Sequence, residues 1–146
     1  MKLLLDVMCG GLTSYLRMCG HDTVYALDRG VEADDRVLAI AHGEDRTLVT
    51  CDSQLAERAD RAILLDATET ETQLLTLRNA GVRLTLNEPT YCGRCNGSIR
   101  LVEAEETIPE YAPDPAEERV WQCQECGQCF WKGSHWERVR EVLSSL

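Results

Sequence analysis

The stretch CQECGQC, Cys123 to Cys129, carries three cysteines at intervals of three, so two Cys-x-x-Cys pairs overlap. A further pair, Cys92-x-x-Cys95, lies upstream, with 27 residues between Cys95 and Cys123. Two such pairs, each on a tight turn, have the spacing of a four-thiolate Zn²⁺ site. Glycines in CGRC and CGQC let backbone amides approach the sulfurs. Spacing alone leaves open whether Cys123 and Cys126, or Cys126 and Cys129, complete the set begun by Cys92 and Cys95. Five of the eight cysteines fall between Cys92 and Cys129. In a reducing compartment that clustering favours metal over disulfides. The zinc would be structural, stabilising a module too small to stand on its own core. The competing reading is unpaired core cysteines or a redox pair. Cys9, Cys19 and Cys51 have no ligand spacing, and Cys19, on an apolar helix face, reads as a small core residue.

A second set of residues is acidic. Asp6 closes the apolar run KLLLD, Asp52 follows TLVT by one residue, and Asp34 opens a helical pattern. In an open parallel α/β sheet the C-terminal ends of the strands line one crevice. Asp6 and Asp52 can meet there, and Asp34 can approach from a helix N-terminus. Three carboxylates in one crevice repel one another unless a cation neutralises them, and hard oxygens with room for water suit Mg²⁺ or Mn²⁺. Such a site can activate water and stabilise a pentacoordinate phosphate. Each acid also has a plainer role. Asp34 and Asp52 suit helix caps, and Asp22 suits a turn. A receiver domain or phosphatase presents aspartates at strand ends too. Here an Asp-x-Asp after the first strand and a late lysine partner are both missing, Lys2 and Lys132 being the only lysines.

The elements that must position these groups alternate up to about residue 86. Residues 2–6 read as a short strand. Leu12, Tyr15, Leu16 and Cys19 form one helical stripe, with Gly20 just past its end. TVYAL, 23–27, is β-branched and aromatic. Asp34 suits the N-cap of a helix that turns Val37, Leu38, Ile40 and Ala41 inward and stops at Gly43. TLVT, 47–50, reads as a buried strand, DSQLAERA as a short helix and AILLD, 62–66, as another strand. Thr68-x-x-Glu71 matches a capping box before a helix carrying Leu74, Leu75 and Leu77 that ends near Gly81. Short apolar strands joined through helices predict a parallel α/β sheet over residues 1–86. From 87 onward the composition changes. The first cysteine pair is followed by an acidic stretch, 103–118, holding three of the four prolines. Then come the three cysteines and a last helix opened by a second capping box, Ser134-x-x-Glu137. Residues 87–146 therefore read as a separate small module.

The net charge is −10, with 25 acidic against 15 basic side chains, and thirteen of those bases are arginine. This is either an ordinary acidic protein or one suited to a salt-rich cytosol. Long-range attraction of nucleic acid is weak for such a chain, although concentrated salt reduces the benefit of a basic patch in any case. No apolar run is long enough for a transmembrane helix. The opening MKLLLD is too short for a signal peptide, so a cytoplasmic protein without a membrane partner is expected.

LLLDVMCGGLTSYLRMCGHDT, DDRVLAIAHGEDRTLVTCD, CGRCNGSI and WQCQECGQCFWKGSHWERV occur in this order. Together they resemble the PIN-like ribonuclease family named for the carboxy-terminal RNase domain of the Mut-seven exonucleases. The resemblance covers nearly the whole chain, and GSHW after a Cys-x-x-Cys is its most specific element. It implies a PIN-like parallel sheet flanked by helices, followed by a zinc ribbon. It also implies a metal-dependent ribonuclease acting on RNA. Asp6 matches the first PIN acid, Asp52 the acid of the T-x-D motif, and Asp34 the acid opening the helix in D-x-x-[VL]-L. Asp35 is a weaker candidate, and Asp22 matches a recurrent acid of unassigned role. The zinc ligands map to Cys92, Cys95, Cys123 and Cys126, which leaves Cys129 as a small core side chain. Two features depart from the pattern. Ser53, not an acid, follows Asp52, and Cys51 stands where the family usually has a base.

Trp131, Lys132, His135 and Trp136 surround the end of the cysteine module. Aromatics beside a base can stack nucleobases and hold phosphate. Equally, the two tryptophans can seal the module against the first domain. Arg17, Arg94 and Arg100 are candidate phosphate contacts. The rival to a nuclease is a non-catalytic RNA- or protein-binding module with a degenerate acidic site.

Overall fold

A computed structural model describes residues 1–146. Four parallel strands, β1 (Lys2–Leu5), β2 (Asp22–Tyr25), β3 (Thr47–Thr50) and β4 (Ala62–Leu64), form a sheet in the order β2-β1-β3-β4. Helices α1 (Thr13–Met18), α2 (Asp34–Gly43), α3 (Ser53–Arg58) and α4 (Thr70–Asn79) flank it. The uninterrupted leucines of β1 are explained by burial on both sides, since alternate strand residues point to opposite faces. Leu3, Leu5 and Val49 face Leu12, Leu16, Leu74 and Leu77. Leu4, Leu48 and Val24 face Val37, Leu38, Ala41 and Leu55. The α/β class and the parallel sheet predicted from the sequence are both present.

Chain order reverses between β1 and β3. From β1 the chain moves outward to β2, then returns past β1 to β3 and β4. In open α/β sheets such a switch point opens a crevice at the carboxyl ends of the two central strands. Asp6 and Cys51–Asp52 directly follow those ends.

A second sheet is antiparallel, formed by β5 (Ile99–Leu101), β6 (Trp121–Cys123) and β7 (Cys129–Phe130) in that order. It covers a small cluster of Val102, Val120 and Cys129. The last helix, α5 (Ser134–Ser144), returns to the parallel sheet, where Val142, Leu143 and Leu146 pack on the α1–α4 face.

The helix starts differ in detail from the sequence reading. Ala33, not Asp34, is the cap of α2. Asp34 is the first helical residue, where its charge suits the helix dipole. Neither capping box forms. The cap of α4 is Glu69, and Ala67 is instead held through its carbonyl by the Gln73 side chain at 2.8 Å. The cap of α5 is Gly133, which lies so close to the Trp131 indole that a Cβ there would come within 2.7 Å of Nε1.

Two sets of polar contacts brace the cysteine module against β2. Asn96 is left-handed at φ 68°, accepts from the Thr23 amide at 2.9 Å and donates to Asp22 Oδ1 at 2.7 Å. Buried Arg17 donates to the carbonyls of Thr23 and Gly93, both at 3.0 Å. Arg46, also buried, spans Leu3 O, Asp22 and Glu44. No buried side-chain nitrogen or oxygen lacks a partner, which is what the cost of unpaired polar groups demands.

Candidate metal centre and acidic crevice

The four sulfurs of Cys92, Cys95, Cys123 and Cys126 lie within 4.8 Å of one another. Cys92 and Cys126 are 3.6 Å apart, and Cys95 and Cys123 are 3.5 Å apart. With Zn–S bonds of about 2.3 Å, a tetrahedron has edges of about 3.8 Å, so the set has the size of a zinc site. Each knuckle directs amides at its sulfurs. Arg94 N approaches Cys92, Gly97 N approaches Cys95, and Glu125 N and Cys126 N approach Cys123, all at 3.4 Å. Gly97 is required by space, because a Cβ there would lie 2.9 Å from Cys123 Sγ. Burial opposes ionisation of Cys123, but the amides of Cys126 and Glu125 outweigh it and bring the thiol down to about 7. Burial pushes Cys92 up to about 12. Cys129 points into the Val102–Val120 cluster and is not among the four.

The acids are arranged differently. Asp6 is half-buried, with Oδ1 accepting from Val7 N at 2.9 Å and Oδ2 from Thr50 Oγ1 at 2.8 Å. Fully buried Thr50 also accepts from the Asp52 amide at 3.0 Å. One hydroxyl thus links the Asp6 carboxylate to the backbone of Asp52 across the switch point. Asp52 caps α3, with Oδ1 accepting from Gln54 N at 2.9 Å and Leu55 N at 3.2 Å. Asp34 is exposed in the first turn of α2. The cysteines form the one group of three or more such ligands within 4.8 Å; Asp6, Asp34 and Asp52 do not close to that spacing. None of these three acids has a Lys, Arg or His partner. Asp22, Asp28, Asp35 and Asp45, by contrast, are each paired with an arginine. Cys9 and Cys51 stand beside this crevice, and burial pushes the Cys9 thiol up to about 12, with Cys51 and Asp6 adding to the effect.

Asp22 is a brace between Arg46 and Asn96. Asp35 pairs with Arg58 on the surface. Arg17 is buried and committed to backbone carbonyls, so it is not a phosphate contact. Arg100 is engaged by both oxygens of Glu106. Arg94 remains exposed, with one bond to Gln128. Thr50 links the two strand ends and Asn96 braces the cysteine module, roles that sequence reasoning alone does not reach. The Asn-Gly turn signal pointed to a left-handed backbone near Asn96, whereas nothing local in TLVT marks the Thr50 hydroxyl.

A family model described as the Mut7-C RNAse domain matches residues 1–143. No curated protein and no solved structure gave a match. No helix is long and apolar enough to cross a membrane.

Proposed function

The chain belongs to the Mut7-C RNAse domain family, and we propose that it is a PIN-like ribonuclease that hydrolyses RNA phosphodiester bonds with Mg²⁺ or Mn²⁺. Asp6, Asp34 and Asp52 would hold the ion, and Cys92, Cys95, Cys123 and Cys126 would hold a structural Zn²⁺. The observation that supports this reading is the Thr50 bridge, which links the Asp6 carboxylate to the Asp52 backbone at the switch point. The divalent ion would supply an activated water and charge neutralisation at the phosphate. The protein's part is positioning. Val7 N–H and Thr50 Oγ1–H orient the Asp6 carboxylate, and α3 fixes one oxygen of Asp52 while leaving the other without a protein partner. Asp34, on the exposed first turn of α2, supplies a third carboxylate whose contact can run through water, as Mg²⁺ usually retains several.

The division into an RNase unit over 1–86 and a zinc ribbon with its helix over 87–146 fits the two sheets, with α5 packing back on the first. The wide spacing of the acids and the Cys51 substitution favour a second reading, a non-catalytic RNA-binding module. Electron paramagnetic resonance of free Mn²⁺ separates the two. Wild type should remove Mn²⁺ from solution, and Asp6→Asn and Asp52→Asn should each weaken binding while zinc content stays constant. Equal Mn²⁺ binding by all three proteins would overturn the assignment.

A further inference from the structure

A cavity of about 410 Å³ lies between α1 and the cysteine module, within the range of small-ligand sites. Ser14 and Met18 of α1 form one wall, and the Gly93–Arg94 turn, Phe130–Trp131 and the start of α5 form the others. Four of the chain's eight aromatic side chains line it: Tyr91, Phe130, Trp131 and Trp136. Of these only Trp131 packs against a hydrophobic core, while Tyr91, Phe130 and Trp136 belong to none and are partly exposed. They therefore do not serve to seal a core. The lining contains no carboxylate, although the chain has 25. Its charged residue is Arg94, at the exposed rim with His135. Lys132 Nζ lies over one face of the Trp136 ring, 5.1 Å from its centre, and is paired with Glu88, which is outside the lining, at 3.2 Å.

We propose that this cavity is a subsite for an unpaired nucleobase of single-stranded RNA, with Trp136 as the stacking platform and Arg94 as the contact to the adjoining phosphate. The proposal rests on the ribonuclease reading for its choice of RNA, but not on the acidic crevice. Partly exposed aromatic faces accept any base, and a neutral-to-basic rim on an otherwise acidic chain matches a phosphate-linked ligand. An apolar protein segment would use the aromatics but has no need of Arg94. A duplex would present no free base face. The α1 wall begins just past the segment capped by Asp6, so a strand seated here lies along the helix that leads from β1.

The test is fluorescence anisotropy of a labelled single-stranded eight-nucleotide RNA and of its blunt duplex, on the full zinc-loaded chain without added Mg²⁺ or Mn²⁺. Single-stranded RNA should bind more tightly than the duplex and quench tryptophan emission. Trp136→Leu should weaken binding roughly tenfold or more. Arg94→Ala, at an exposed position and with zinc content checked to be unchanged, should weaken it several-fold and flatten its salt dependence. Unchanged affinity in Arg94→Ala and Trp136→Leu, equal binding of duplex, or no binding of single strands overturns the proposal. Cleavage with Mn²⁺ is scored separately on the same proteins. Loss of the subsite with Asp6-dependent cleavage intact would leave the nuclease reading standing, and Trp136-dependent binding without cleavage would leave the subsite standing alone.

Discussion

Thr50→Val removes one hydroxyl and almost no volume, yet that hydroxyl makes two bonds. Its Oγ1 donates to Asp6 Oδ2 at 2.8 Å and accepts from Asp52 N at 3.0 Å, at a position with 0 % exposure. A hydrogen bond to a charged group contributes about 1.5–3 kcal/mol, and one between neutral groups about 0.5–1.5 kcal/mol. Asp6 is partly open to water, which recovers some of the first, and the added methyl recovers about 0.8 kcal/mol by burial. The net loss is about 2 kcal/mol, or about 5–8 °C in melting temperature for a chain of this size at fixed zinc. Thr50→Ser keeps the hydroxyl and should lose much less. Because the bond runs to Asp6, the losses from Thr50→Val and Asp6→Asn should overlap, with the double variant less destabilised than the two single changes added. Denaturant titration of all four proteins measures this coupling. Strict additivity, or a Thr50→Val protein as stable as wild type, would show that the hydroxyl does not link the Asp6 carboxylate to the Asp52 backbone.

Cys126→Ser should reduce bound zinc far below one per chain and melt the small sheet early, whereas Cys129→Ala should keep the metal and lose only packing. Mass spectrometry under native conditions checks both, and zinc loss in Cys129→Ala would mean the other overlapping pair is used. Acid sensitivity should track the Arg46 cluster. The bond from Arg29, together with Arg46, holds the Glu44 carboxyl down at about 2. Burial works against Asp22, but Arg46 and Asn96 outweigh it and hold it low. Both groups have folded-state values below their unfolded ones, so their stabilisation is present above about pH 4.5 and is lost as pH falls towards about 2. Arg46→Met should melt lower at pH 7 and show a shallower fall across that window. An equally steep fall in melting temperature would place the acid sensitivity elsewhere.

What was legible in the sequence followed from local rules. The apolar run at Leu3 to Leu5 marked a strand, Gly20 and Gly81 marked helix ends at φ 85° and 100°, and the cap that was the plainer alternative for Asp52 is present, its metal role being a separate proposal. The cysteine spacing pointed to a four-thiolate site but left its second pair open; the family resemblance implied Cys123 and Cys126, and those two lie with Cys92 and Cys95 while Cys129 is buried apart from them. The capping boxes failed because a local pattern competes with tertiary contacts: Gly133 packs under Trp131, and Gln73 takes the carbonyl of Ala67. Arg17 read as a surface cation because nothing in the sequence reveals that the Gly93 carbonyl, 76 positions away, is its partner. Thr50 and Asn96 were missed for the same reason, since each acts across pairs brought together only by the sheet.

The most direct measurement is cleavage of an end-labelled RNA carrying single-stranded and paired segments, using protein freed of contaminating nuclease. It compares Mn²⁺, Mg²⁺ and EDTA, wild type with Asp6→Asn, at several salt concentrations. Cuts should require the divalent ion and vanish in Asp6→Asn while the RNA remains bound. Cuts that persist in EDTA or in Asp6→Asn, or no cuts at any salt by a protein that still binds the RNA, would contradict the metal-dependent nuclease reading.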